Sequence, residues 1–370
     1  MNSALGGQPV VPSDRQCKAI MTIASSSKCP SDAWMHAAAP MLMQPRMTLI
    51  NVGANKGFHV NTFLQIFQSD WKVSNAAWHE ALFAAPSLSS LSASTACPIV
   101  HNKRVRYAAD KYSCCPRENQ WNPVHAPWIP CMCGLCGDCL DTLPSSSMAP
   151  GSAQVTVVAV EMMRATANLL NQTFNRLGVS GHVVHGAAAE RSAVVRTVPA
   201  LAGTEHIGLG TRYFTAASGF KRNETVRQFT VDGLMKPMRH ERIHMLSIDA
   251  EGFDALVLRG AKATLRRTKV IEFEFSGVGA WSRIGNEGKG PGEELWRVVD
   301  WLASTFGFRC WWIGGSRTPR LAPIVQHCTA DMGKGFWSNV LCAHEPRLLA
   351  VLDAMVPPDL RNLTASSPYG

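Results

Sequence analysis

Apolar and polar positions along most of this chain switch repeatedly between a strand-like and a helix-like register. A short apolar run over 47–51 closes on a glycine-containing segment, after which Phe58, Phe63, Leu64, Ile66 and Phe67 recur at the spacing of one helix face. The reading is strand, tight turn, helix. Alternation resumes with a strand over 155–160, a helix over 162–177 and a strand over 182–187. It closes with a strand over 244–248, a helix over 253–267, a strand over 270–275, a helix over 293–306 and strands over 308–313 and 336–342. Elements of these lengths in this order predict an α/β fold, a parallel sheet covered on both faces. No internal repeat is visible.

Four stretches depart from the pattern. Residues 1–46 show no sustained period and read as a lead-in segment, partly ordered at best. Residues 71–153 hold a possible helix near 76–83, a Ser-rich patch, clustered cysteines and six prolines from Pro116 to Pro150, and read as an insertion in a domain spanning 47–343. The basic stretch 208–242, with Arg212, Lys221, Arg222, Arg227, Lys236 and Arg239, reads as a solvated surface loop in preference to an anion site. Residues 344–370 are left as a C-terminal tail.

A chain of 370 residues, 46% apolar and 17% charged, buries a substantial core, which excludes disordered and fibrous classes. No apolar run reaches the roughly 18 to 20 residues of a membrane helix, and the opening residues carry no signal-peptide stretch, so a soluble chain without a readable address is expected. Thirty-six Lys and Arg against 27 Asp and Glu leave a charge of +9. That favours anionic partners in general, but a uniformly basic enzyme is the better reading and no nucleic-acid partner is expected.

Twelve cysteines are too few for a disulfide scaffold, yet Cys114, Cys115, Cys131, Cys133, Cys136 and Cys139 lie close together with His125 among them. Cys131, Cys133, Cys136 and Cys139 have the close thiol spacing of a structural zinc site, and disulfides fit equally well. A catalytic thiol is disfavoured. The redox state of these thiols decides between cytoplasm and secretory lumen. Glycosylation sequons at Asn171, Asn223 and Asn362 barely exceed the number expected from composition.

Ligands of such sheets bind beyond the carboxyl ends of the strands, so the residues after each strand carry the chemistry. After the first strand come Asn51, Val52, Gly53, Ala54, Asn55, Lys56 and Gly57. Glycine here lets the backbone turn sharply and approach a ligand, and the following helix start offers free N–H groups. The spacing is neither G-x-G-x-x-G nor the phosphate loop, which weakens nicotinamide and nucleotide-triphosphate readings. The next strand ends at Glu161, where a carboxylate accepts ribose hydroxyls. Asp249, Glu251 and Asp254 crowd a later strand-to-helix junction: Asp249 beside a cofactor, Glu251 toward a substrate, and Asp254 with a helix-start role. Glu272 and Glu274 share one face of an apolar strand, and a buried carboxylate is costly unless paired or used.

In this order NVGANKG, VVAVE, SIDAEGFDALVLRGA and IEFEF resemble the FkbM-type S-adenosylmethionine-dependent methyltransferases, over about 47–69 and 154–276. The resemblance implies a doubly wound, Rossmann-like sheet of seven strands with the last antiparallel. It implies S-adenosylmethionine as cofactor, held by Asn51, Gly53, Ala54, Asn55, Gly57, Glu161, Ala187 and Asp249. Asn51, Met162 and Ser247 depart from residues common in the family, Asp, Pro and Lys respectively, and the insertion is unusually long.

Methyl transfer is an in-line displacement that depends mostly on alignment. A hydroxyl acceptor on a metabolite or sugar benefits from a base, for which Asp249 and Glu251 are the candidates. His185 and His244 are better read as structural, and a carboxylate-bound metal is a lesser alternative. From another class, a non-catalytic module with a partner-binding Cys-rich insertion also fits.

Overall fold

The computed structural model describes residues 11–25, 30–83, 153–197, 224–276, 281, 294–315, 320–329 and 336–364. The predicted first unit forms β1 (Arg46–Val52) and α3 (Phe58–Phe67), preceded by α1 (Asp14–Ser25) and α2 (Ala33–Leu42) and followed by α4 (Asn75–Phe83). The second unit is β2 (Gln154–Glu161), α5 (Arg164–Leu177) and β3 (Gly181–His185). Then come β4 (Ala187–Ala188), β5 (Ala193–Thr197), β6 (Glu224–Phe229) and α6 (Val231–Leu234). The chain continues through β7 (Ile243–Ile248), α7 (Asp254–Arg259), α8 (Lys262–Leu265), β8 (Thr268–Ser276) and α9 (Leu295–Phe306). It closes with β9 (Arg309–Ile313), β10 (Leu321–Pro323), α10 (Gln326–Thr329), β11 (Trp337–Ala343), α11 (Pro346–Ala354) and α12 (Arg361–Thr364).

Among the described residues eight strands form the main sheet, in the order β10-β9-β11-β8-β7-β1-β2-β3. From β3 to β8 all pairs are parallel, whereas β11 runs antiparallel between β8 and β9. The resemblance implied seven strands; β10, paired antiparallel to β9 at the edge, makes the eighth. Strands β1, β7 and β8 are buried over nearly their whole length, which is why apolar residues occupy both of their faces. The chain leaves β1 for β2 on one side and β7 for β8 on the other. The carboxyl ends of β1 and β7 therefore flank the point where strand order reverses.

The helix predicted over 253–267 is two helices. They meet at Gly260, whose backbone packs so tightly on Ala189 that a Cβ would come within 2.0 Å of the Ala189 carbonyl oxygen, so only glycine fits at this junction. The Asp232 carboxylate then caps α8, accepting from the N–H groups of Ala263 and Thr264 at 2.8 and 2.7 Å.

The lead-in is more ordered than its pattern promises. α1 and α2 bury Ile20, Ala24, Trp34, Met35, Ala38 and Leu42 in the main core. Ser31 N–H donates to the Gly314 carbonyl, the Ser338 hydroxyl donates to the Ala24 carbonyl, and a Cys17–Cys328 disulfide ties α1 to α10. Residues 71–83, read as part of an insertion, also join the core: Trp78 is fully buried and its indole donates to the Lys56 carbonyl at 2.8 Å. The basic stretch is corrected in part, since its residues 224–229 form β6, the centre of a second, three-stranded sheet β4-β6-β5. The segment that holds Cys131, Cys133, Cys136 and Cys139 lies outside the described residues. Among the described residues, no group of three or more His, Cys, Asp or Glu side chains is placed to hold a metal ion. No helix there is long and apolar enough to cross a membrane.

Candidate functional site

Three residues in five between β1 and α3 take left-handed backbone: Gly53 at φ 73°, Asn55 at 45° and Gly57 at 78°. The reason differs by position. A Cβ on Gly53 would lie 1.7 Å from the Asp249 carbonyl oxygen, so this glycine lets the β1 loop touch the β7 loop. A Cβ on Gly57 would meet Leu170 and Trp78 at 2.6 and 2.7 Å, so Gly57 serves the packing of α3 on its neighbours. The loop is pinned from below, where Gly53 and Ala54 donate to the Val160 carbonyl at 2.9 and 3.0 Å. Asp249 N–H likewise donates to the Val52 carbonyl at 2.9 Å.

Glu161 joins two loops. One carboxylate oxygen accepts from Asn55 N–H at 2.9 Å and the other from Met163 N–H at 2.7 Å. Burial raises its pKa, backbone donors at Met163, Asn55 and Met162 oppose the rise, and the nearby Glu251 adds to it. Each oxygen has a second lone pair, so the group retains capacity for donors from a ligand. The Oδ1 atoms of Asn51 and Asn55 are buried without a hydrogen-bond partner, and α3 starts at Gly57 with no side-chain cap. This end of the sheet thus offers acceptors to hydroxyl or ammonium groups and amide N–H groups to an anion. A molecule carrying an amino-acid end and a ribose fits that donor and acceptor set. Ala187 is buried in β4, joined to this corner through Gly186 N–H donating to the Glu161 carbonyl at 3.0 Å.

Past β7 the side chains divide by exposure. Asp249 is exposed and Glu251 half-buried, the latter at φ 50°, a conformation that costs a non-glycine residue roughly 1–3 kcal/mol and concentrates at functional sites. Asp254 is fully buried, and its Oδ1 accepts from Ala250 N–H at 3.4 Å and Glu274 N–H at 3.2 Å. It therefore latches the β7 loop onto β8, a larger task than the helix-start role expected. Burial first, then the Asp249 charge, holds its pKa well above the usual carboxylate range.

Glu272 and Glu274 share a face, as alternation predicts, and both are buried. By strand register Asn51 pairs with Ser247, and Ser247 with Glu272, so three buried polar residues cross β1, β7 and β8 in one row. Glu272 accepts a hydrogen bond from Trp34 and its pKa is pushed up to about 8, by burial, then by Asp32, then by Asp249. Glu274 accepts from Trp337; burial and then Asp249, Asp254 and Glu251 push it well upward. Asp32, raised to about 6 by burial, brings a further carboxyl to this cluster from the residue before α2.

Asp32 and Trp34 were missed in the sequence because they sit in the lead-in, where a nearly all-apolar α2 gives no period to read. His59, in the first turn of α3, was also missed: its Nε2 is buried without a partner, and burial lowers its pKa to about 4. The structural reading of the other histidines agrees with their contacts. His185 pairs through Nε2 with the Met162 carbonyl at 3.1 Å. His244 accepts from Thr48 N–H at 3.1 Å near the start of β7, roughly 16 Å along the strand from Asp249.

The family model described as Methyltransferase FkbM domain matches residues 144–309. That stretch runs from β2 through α9 and contains Glu161, Asp249, Glu251, Asp254, Glu272 and Glu274; the β1 loop precedes it. No curated protein matches the chain.

Proposed function

From a chain in which residues 144–309 are matched by the FkbM methyltransferase family, we propose an S-adenosylmethionine-dependent methyltransferase that transfers to oxygen of a hydroxylated small molecule or sugar. The observation that carries this reading is the Glu161 carboxylate. It is buried, held by N–H groups from two loops, and placed one strand from the reversal point where the Gly53 backbone meets Asp249. In this reading Glu161 receives the ribose hydroxyls, and Asn51, Asn55 and the N–H groups of the uncapped first turn of α3 receive the amino-acid end. Bound there, the cofactor supplies a methyl group on a sulfonium centre.

The remaining work belongs to the chain. Asp249, exposed at the mouth of the site, is the group that accepts a proton from an acceptor hydroxyl, with Glu251 beside it orienting the acceptor. Asp254 fixes the loop that carries both. Burial pushes Glu272 up to about 8 and Glu274 well above the usual carboxylate range, so both shift toward the protonated form and the wall behind the acceptor is polar with its negative charge reduced. A transfer assay with methyl-labelled S-adenosylmethionine and a panel of hydroxylated acceptors tests the reading. Label bound to oxygen of a product supports it, and label found on nitrogen or carbon alone would overturn the O-methylation part.

A further inference from the structure

We propose that Asn171 and Asn362 carry N-linked glycans, added in the oxidising lumen in which this chain also closes its disulfides. The described residues contain two disulfides, Cys17–Cys328 and Cys310–Cys342. The first joins positions 311 residues apart, the second neighbouring strands β9 and β11. Cys310, Cys328 and Cys342 are buried, so these are pairs built into the core. Such pairs form and persist in oxidising compartments and are rare where thiols are kept reduced.

That compartment is where asparagine in Asn-x-Ser/Thr is modified, and it changes the weight of the three sequons. All three have threonine in the third position, although serine is the commoner residue in this chain, 29 to 20. The two within the described residues both present asparagine outward: Asn171 is exposed on α5 and Asn362 on α12. Neither obstructs the candidate site. Asn171 lies roughly 10 Å along α5 from its start beside Glu161. Asn362 sits on α12, which packs on β10 at the far edge of the sheet.

The order of events is also fixed. Thr173 is fully buried, with its hydroxyl donating to the Leu169 carbonyl at 2.9 Å, so the Asn171 sequon is readable only before α5 packs. Modification there accompanies synthesis and precedes folding. The co-reactant is a lipid-diphosphate-linked oligosaccharide. The asparagine Nδ2 bonds to its anomeric carbon and loses a proton, and the lipid diphosphate leaves.

Peptide mapping of the protein isolated from its native source, with and without enzymatic removal of N-glycans, tests this. Removal hydrolyses the glycosylated amide and leaves Asp where Asn stood. The expected result is that the Asn171 and Asn362 peptides appear only after treatment and carry Asp, while Cys17, Cys310, Cys328 and Cys342 resist alkylation until reduced. Unmodified Asn in either peptide of untreated protein overturns the assignment at that residue. The four cysteines alkylating without reduction would overturn the compartment as well.

Discussion

Two ends of the same sheet edge supply buried carboxyl groups with unequal numbers of hydrogen-bond donors. At β2, Glu161 is surrounded by backbone N–H donors from two loops, which counter the cost of its burial. At β8, Glu272 and Glu274 each receive one indole donor and face further carboxyls, so burial prevails and shifts both toward the protonated form. The difference is one of donor supply. The loops after β1 and β2 aim the Asn55 and Met163 amide groups at Glu161, whereas β8 continues as a paired strand whose Glu274 amide serves Asp254 and not the glutamates themselves. In the proposed reading the first end binds with a fixed acceptor, and the second is a polar wall whose charge depends on pH.

The comparison is broken most severely through Asp249. In the transfer assay Asp249→Asn is expected to lower turnover by roughly 10²–10⁴-fold, with an unfolding midpoint near that of the native protein because the side chain is exposed. Full activity in that variant would remove it from the mechanism.

Glu272→Gln sharpens the contrast through stability. Glu272 keeps its proton in the folded chain up to about pH 8, against an ordinary value of 4.5. Its contribution is fully present below that ordinary value and is lost as pH rises through the folded value. The variant should match the native protein near pH 4 and exceed it by up to about 5 kcal/mol above pH 8, read from denaturant unfolding at several pH values. His59 and His244, both lowered to about 4, lose stability in the other direction, as pH falls from 6.5 through 4. Because they are common to both proteins they cancel in the difference. A pH-independent difference would contradict the protonated wall.

At the other end, Glu161→Ala leaves buried N–H groups without their acceptor, at a cost of about 1–3 kcal/mol each where no water replaces it. A smaller effect is expected of Asp32→Asn. Removing one neighbouring carboxylate lowers the Glu272 pKa and trims the pH-dependent part of stability between pH 6 and 8 by under about 1 kcal/mol. An unchanged pH profile would disconnect the lead-in from this wall.

Much of this was readable along the chain. Strands β1, β2, β7 and β8 announced themselves as buried apolar runs, and the glycine loop, Glu161 and the Asp249 to Asp254 cluster followed at their ends. What escaped depends on contacts distant in sequence. α2 has apolar residues on almost every side and Pro40 within it, so no face stands out. The need for glycine at 260 comes from the approach of Ala189, and the latch role of Asp254 from an amide on β8. β10 is a three-residue edge strand, and the Cys17–Cys328 pair spans 311 positions that linear spacing cannot connect.

The most direct test of the central claim is calorimetric titration of the purified protein and its Glu161→Ala variant with S-adenosylmethionine and its demethylated product, using a nicotinamide dinucleotide as control. Roughly micromolar binding of either methyl-cycle ligand to the native protein is expected, weakened at least about tenfold in the variant, with no heat from the dinucleotide. Absence of binding by folded native protein, or equal affinity in the folded variant, would contradict the account.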